Sequence, residues 1–165
     1  SMNPSPSGFF NDPNAPVTSS PNEMQRYLSK ISGPLLDRID IHIEVTPVPF
    51  EKLSDNRKSE SSQAIRERVT KAREIQSCRF ENINSVNYNA QMSTKLIREF
   101  CALDDTSLQL LKTAMERLNL SARAYDRILK VSRTIADLEG AESVGASHIA
   151  EAIQYRSLDR EGWLG

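Results

Sequence analysis

The sequence predicts a mainly α fold: a helical bundle preceded by a loop, one short helix and a single edge strand. Three observations carry this prediction. Apolar residues recur at three- and four-residue spacing in several segments after residue 60, whereas period-two alternation occurs once, at residues 39–45. One stretch, Leu120 to Gly140, reads as a complete helix, with Ser121 as N-cap and Gly140 as its stop. Five of the eight prolines fall within residues 1–22, which excludes regular structure there.

Taken in order, residues 1–22 combine those prolines with Gly, Ser and Asn and read as loop. Asn22 caps a short amphipathic helix reaching Ile31, with Met24, Tyr27, Leu28 and Ile31 apolar, and Ser32-Gly33-Pro34 ends it. Then Ile39, Ile41, Ile43 and Val45 face one way and Asp40, His42 and Glu44 the other, the pattern of a half-buried edge strand with His42 on the wet side. Thr46-Pro-Val-Pro49 marks a domain boundary, and a charged linker follows from Glu51 to Glu60. Ser62 opens a helix to about Cys78 with Ile65, Val69, Ala72, Ile75 and Gln76 in one stripe. Residues 80–91 form an Asn-rich loop whose Ile83, Val86 and Tyr88 tuck into the core. Ser93 or Thr94 caps a helix through Phe100, and Asp104 or Asp105 starts another through about Leu118, with Leu108, Leu111, Ala114, Met115 and Leu118 apolar. A last helix runs from His148 to about Tyr155, with His148 in a structural role, and residues from Arg156 onward are tail, including Trp163.

The long helix 121–139 organises the rest. Tyr125, Ile128, Leu129, Ser132, Ile135 and Ala136 line one face, while Arg123, Arg127 and Lys130 share the opposite arc. Two of these cations stand in the opening turns, where the helix dipole disfavours positive charge, so an anion is expected to compensate them. Two readings fit: the wet side of an amphipathic helix, or an anion site built on Arg123 and the free N–H groups of the first turn.

Composition narrows the function. A net charge of −1 supplies no whole-molecule attraction for nucleic acid, so any DNA contact requires a local basic face. Cys78 and Cys101 have no paired spacing and are expected to be reduced packing residues in a cytoplasmic setting. No apolar run approaches the ~18 residues that span a bilayer. Ser1-Met2 has the look of a scar before an internal start. A nucleophile–base motif, a G-x-x-x-x-G-K-[ST] loop and a magnesium-holding acidic pair are all missing from these residues.

Ser121-Ala122-Arg123, followed by Ile-Leu-Lys-Val-Ser-Arg133 and Ala136-Asp-Leu-Glu-Gly140, resembles the sensor 2 helix in the lid of magnesium-chelatase-type AAA+ ATPases. Gly33-Pro-Leu-Leu-Asp-Arg-Ile-Asp40 is similar to the motif that delivers an arginine finger in such rings. The tract Gln25 to Asp40 narrows the resemblance to the ComM/YifB, competence-linked branch, over a subunit of tetrapyrrole metalation with the same fold.

The resemblance implies that residues 1–47 are the C-terminal end of a nucleotide-binding α/β domain, incomplete here, that 48–160 are the helical lid, and that 161–165 are tail. It further implies Arg123 as sensor 2, Arg38 as an arginine finger acting in trans, and Asn3 near the sensor 1 position. It implies ATP and Mg as ligands of the full-length protein, ring self-association (a hexamer), and remodelling of DNA. The 165 residues alone are expected to be inactive and to bind neither ATP nor Mg. The family's early cysteines correspond to Ser5, Ser7, Val17 and Ser19, none a thiolate, so no metal is expected. From the residues alone, Arg38 is either a finger or a partner of Asp37, Asp40 or Glu44, and the basic face Arg123, Arg127, Lys130 could instead serve a helical protein- or DNA-interaction module.

Overall fold

The computed structural model describes residues 2–3, 5–6, 20–43, 45, 48 and 59–156. Among them are seven α-helices: α1 Pro21–Leu28, α2 Gly33–Leu36, α3 Ser62–Phe80, α4 Thr94–Phe100, α5 Asp105–Arg117, α6 Ala122–Glu139 and α7 Ala146–Gln154. A 3₁₀ turn, Asn89–Gln91, lies between α3 and α4.

Caps set most of these boundaries. Ser61, Ser93, Asp104 and Ser121 each accept a backbone N–H from the first turn of the helix they precede, satisfying a donor that the helix itself leaves unpaired. The cap of helix α1 is Ser20, two residues before the expected Asn22, because Ser20 and Glu23 form a reciprocal capping box and Pro21 occupies the first turn. Helix α6 ends on Gly140, whose φ of +74° is the left-handed conformation that releases the chain toward α7. Helix α7 begins earlier than His148: the His148 ring accepts the Gly145 N–H at Nδ1 (2.9 Å), so its N–H is on Nε2, directed at Glu139 2.8 Å away.

Helix α6 is the hub and packs against α3, α4, α7 and the 3₁₀ turn, while α7 also packs on α5. Ile128, Leu129, Ile135 and Ala136 of α6 meet Ile97, Leu111 and Ile149, and Phe80 meets Phe100 edge-on at 5.7 Å. The face expected from the 3.6-residue period is the face that is buried.

Several expectations change. Residues 39–43 are not in a strand among the described residues: they form no regular element and bend at Asp40, with Ile43 72% and Val45 85% exposed, and His42, expected on the wet side, is buried. The expected two-faced alternation does not hold: only His42 is buried, against the helical bundle, Asp40 is exposed like the isoleucines, and no described sheet covers them. In α3 the stripe of Ile65, Val69 and Ile75 is exposed, because every residue from 61 to 71 lies beyond the cover of the other described elements; Ala72, Gln76 and Phe80 are buried. Leu108 and Tyr88 are also exposed, Tyr88 beneath the Arg73 guanidinium at 4.6 Å. Ser7, Val17, Ser19, Glu44 and Trp163 lie outside the described residues.

Candidate functional site

The arginines of this chain sort into two groups. Inside the bundle, Asp137 of α6 is fully buried and holds Arg79 of α3 through both carboxylate oxygens, Nη1 at 2.7 Å, while Arg133 Nε reaches Oδ1 at 3.1 Å. Asn89 of the 3₁₀ turn donates to the same carboxylate at 2.7 Å and accepts from Arg79 at 2.9 Å. Arg133 also donates to the carbonyls of Ala141 and Glu142, capping the end of α6. Burial pushes the Arg133 guanidinium below its ordinary pKa and Asp137 opposes that shift. Burial also pushes the nearby Cys101 thiol up to about 11. None of this cluster reaches solvent freely, so it fixes the angle between α3, the 3₁₀ turn and α6. Sequence reasoning missed it, because a charged residue on an otherwise apolar face gives no sign of which distant partner it meets.

At the other end of α6 the side chains are open. Arg123, in the first turn, is exposed and enters no ion pair with a described residue. It stands beside the backbone N–H groups that a helix start leaves unpaired, and guanidinium forks with free amides are a donor set suited to phosphate oxygens. One turn on, Arg127 is not free: it pairs with Asp40 of the 39–43 segment. Lys130 donates to the Ala90 carbonyl at 2.9 Å. Of the three cations expected to form a basic face, two are therefore engaged within the chain.

Arg38 follows α2 and is exposed, again without an ion pair to a described residue. Of the intrachain partners weighed for it, Asp40 binds Arg127, Asp37 lies 4.0 Å from the buried Arg156, and Glu44 lies outside the described residues. Arg156, read from sequence as the start of a tail, instead donates to the Ile39 carbonyl, and the His42 N–H donates to the Tyr155 carbonyl at 2.7 Å. Asn3 is exposed and its carbonyl accepts the Tyr27 hydroxyl at 2.9 Å, which uses its backbone and leaves its amide group uncommitted to that contact. Among the described residues no three His, Cys, Asp or Glu side chains gather as a metal site.

Two further concavities exist. One of about 770 Å³ lies between α4, α5 and the start of α6, with Arg98 and Asp126 at an apolar wall. Another of about 300 Å³ lies where Asp40 and Ile41 meet α6 and α7, and its polar members Asp40, Lys130 and Tyr155 already have partners in the chain. Among the described residues no helix is long and apolar enough to cross a membrane.

The bundle, centred on one helix with an arginine in its opening turn and packed on the 39–43 segment, defines the class: a helical C-terminal lid. The family follows from direct comparison. Residues 59–156 match the model of magnesium chelatase, subunit ChlI C-terminal, and residues 1–53 match that of magnesium chelatase, subunit ChlI, so the chain belongs to the magnesium chelatase ChlI family. It is 44% identical over 160 residues to competence protein ComM of Haemophilus influenzae, which covers 96% of this chain and 30% of that protein. It is 38% and 39% identical over the same length to the uncharacterized YifB proteins of Salmonella typhimurium and Escherichia coli, with the same coverage of each. The chain thus spans about 30% of the length of the curated relatives it matches.

Proposed function

We propose that this chain is the C-terminal part of a magnesium chelatase-like AAA+ ATPase that couples ATP hydrolysis to remodelling of DNA, as a ComM-like protein of natural competence and recombination. The observation that carries the reading is Arg123: an exposed guanidinium without an ion pair among the described residues, in a helix turn whose dipole repels it, is suited to an anion. Family membership supports the phosphate of a nucleotide as that anion.

In this reading residues 1–47 end the nucleotide-binding domain and 48–160 form the lid. Arg123 binds the γ-phosphate from the lid of its own subunit and converts nucleotide state into lid rotation. Arg38 reaches the site of the neighbouring subunit in a cytoplasmic ring, there offering a planar, permanently charged fork to the phosphoryl oxygens. Asn3 belongs near the sensor 1 position. Among the described residues no three His, Cys, Asp or Glu side chains gather as a metal site, and in this reading Mg is a ligand of the full-length protein together with ATP. Bound ATP with Mg supplies the phosphoryl group for transfer to water. The role of this chain is positional: two cations aimed at oxygens where charge gathers.

The alternative of a free-standing DNA-contacting module loses support because Arg127 and Lys130 are spent within the chain. DNA binding by the 165 residues alone is expected to be weak and to show little of the salt dependence that several phosphate contacts produce. The test of the main reading is steady-state ATP hydrolysis by the full-length protein. Arg123→Ala and Arg38→Ala are each expected to lower turnover by about 10³-fold or more, as loss of a finger does in related phosphoryl transfer, while ring assembly persists. Turnover at the wild-type rate in either variant removes that residue from the mechanism.

A further inference from the structure

Arg38 lies in a segment that the lid holds on both sides. Just before it, Asp37 faces the buried Arg156 at 4.0 Å; just after it, the Ile39 carbonyl accepts from that same guanidinium, Asp40 pairs with Arg127, and the His42 N–H donates to the Tyr155 carbonyl. Residues 37, 39, 40 and 42 thus each contact α6 or the end of α7, while the exposed Arg38 side chain between them enters no ion pair with a described residue. Arg156 is 1% exposed, and a buried guanidinium gives up a carbonyl acceptor only at the expense of its own desolvation. Arg127 stands four residues after Arg123, one turn further along the same helix, so the arginine facing outward and the arginine gripping the segment move as one body.

We propose that Arg127 and Arg156 are positioning residues that hold the Asp37–His42 segment on the lid and so present Arg38, making the reach of Arg38 follow the orientation of α6. The inference rests on the reading of Arg38 and Arg123 given above. Its consequence is that a change at Arg123 in one subunit is carried through Arg127 and Asp40 to the residue that serves the next subunit, without an intervening flexible linker.

The test uses the full-length protein, with hydrolysis measured across ATP concentrations and ring assembly followed by size exclusion. Arg127→Glu, which turns the pair into a repulsion, is expected to lower kcat by about 10–100-fold, the scale of a misplaced catalytic group, with KM for ATP within about twofold. Asp40→Arg is expected to do the same. Combining the two reverses the polarity of the pair and is expected to recover most of the loss, which a general loss of stability would not. Because Arg156 is buried and its replacement can unfold the bundle, Arg156→Lys is compared only by its melting temperature and kcat together. The inference is overturned by normal kcat in Arg127→Glu, or by a double variant no faster than the single ones. If Arg38→Ala itself turns over normally, the underlying reading fails; if Arg38→Ala is slow and Arg127→Glu is normal, only the tether fails.

Discussion

Replacing Asp137 by alanine should be among the most damaging single changes to this bundle. The side chain is fully buried and accepts from Arg79, Arg133 and Asn89, and the guanidinium groups are themselves 12% and 2% exposed. The substitution leaves two desolvated cations side by side with no anion between them. Removing one partner from such a buried cluster costs about 3–5 kcal/mol, a large share of the ~5–15 kcal/mol by which a domain of this size is stable. Asp137→Asn should cost nearly as much, since its amide NH₂ would point at donors of Arg79 or Asn89 where an acceptor is required. With an m value of about 2 kcal/mol per molar urea, the unfolding midpoint of the chain should fall by about 1.5–2.5 M, read by far-UV circular dichroism. The exposed pair Glu60–Arg68, with side chains 45% and 49% exposed, serves as the control: Arg68→Ala should move the midpoint by no more than about 0.5 M. Adding Arg79→Met to Asp137→Ala should cost less than Arg79→Met alone, because the partner is already gone. A midpoint shift below about 0.5 M for Asp137→Ala would mean that the cluster is hydrated or rearranges freely, and the account of how α6 is fixed would be wrong.

Two other predictions concern the same helix and its neighbours. The Cys101 thiol has its pKa raised from 9.0 to about 11 by burial, so the folded state keeps its proton where the unfolded chain has lost it. Stability from this group is complete below pH 9, falls as pH rises from 9 to 11, and amounts at most to about 2–3 kcal/mol; Cys101→Ala should flatten that part of the urea-midpoint profile, and an unchanged slope would remove the explanation. Consistent with this, a thiol reagent at neutral pH should label the exposed Cys78 quickly and the buried Cys101 only on unfolding, as mass spectrometry would read. At Gly140, φ of +74° with no atom within 4 Å of an added Cβ means that alanine meets no clash and only backbone strain. Gly140→Ala should lower stability by about 1–2 kcal/mol in thermal melts, and a stabilised variant would refute the left-handed cap.

The parts of the fold that sequence made legible are those governed by local chemistry. Ser121 and Gly140 bracket α6 as their side-chain chemistry requires, and the buried face of α6 is the one its spacing implies. What was not legible depends on partners distant in sequence. Arg79, Asp137 and Asn89 meet across intervals of 58 and 48 residues, and Arg156 meets Ile39 across 117. Local pattern carries no information about such pairs. The segment at 39–43 is the clearer lesson: its alternation reads as a strand, but only His42 is buried and Asp40 is exposed like Ile39 and Ile41, because contacts with the helical bundle decide what is covered. His42 is buried, while Ile39, Ile41 and Ile43 remain 41%, 44% and 72% exposed, Ile41 at the edge of a cavity against α6 and α7. Ile65 and Val69 of α3 have the same origin, a helical stripe running past the end of the elements that would cover it.

Exposure alone would not single out Arg38 and Arg123, since Arg66, Arg98 and Arg117 are exposed as well. Position does. A cation in the first turn of a helix is opposed by the macrodipole by about 0.3–1 kcal/mol, and Arg123 has no carboxylate partner among the described residues to offset it. Arg38 is unlike the others for a different reason: its neighbours on both sides are held by the lid, so its backbone is restrained while its side chain is left free. Ordinary surface arginines are neither opposed nor held. Placement against the local field in one case, and a backbone held by neighbours in the other, are the features that support the proposed roles of these two residues. The segment that carries Arg38 is also tied to the helix that carries Arg123, by Arg127 pairing with Asp40 a single turn after Arg123, so on the proposed reading a phosphate drawn to the first would alter where the second can reach.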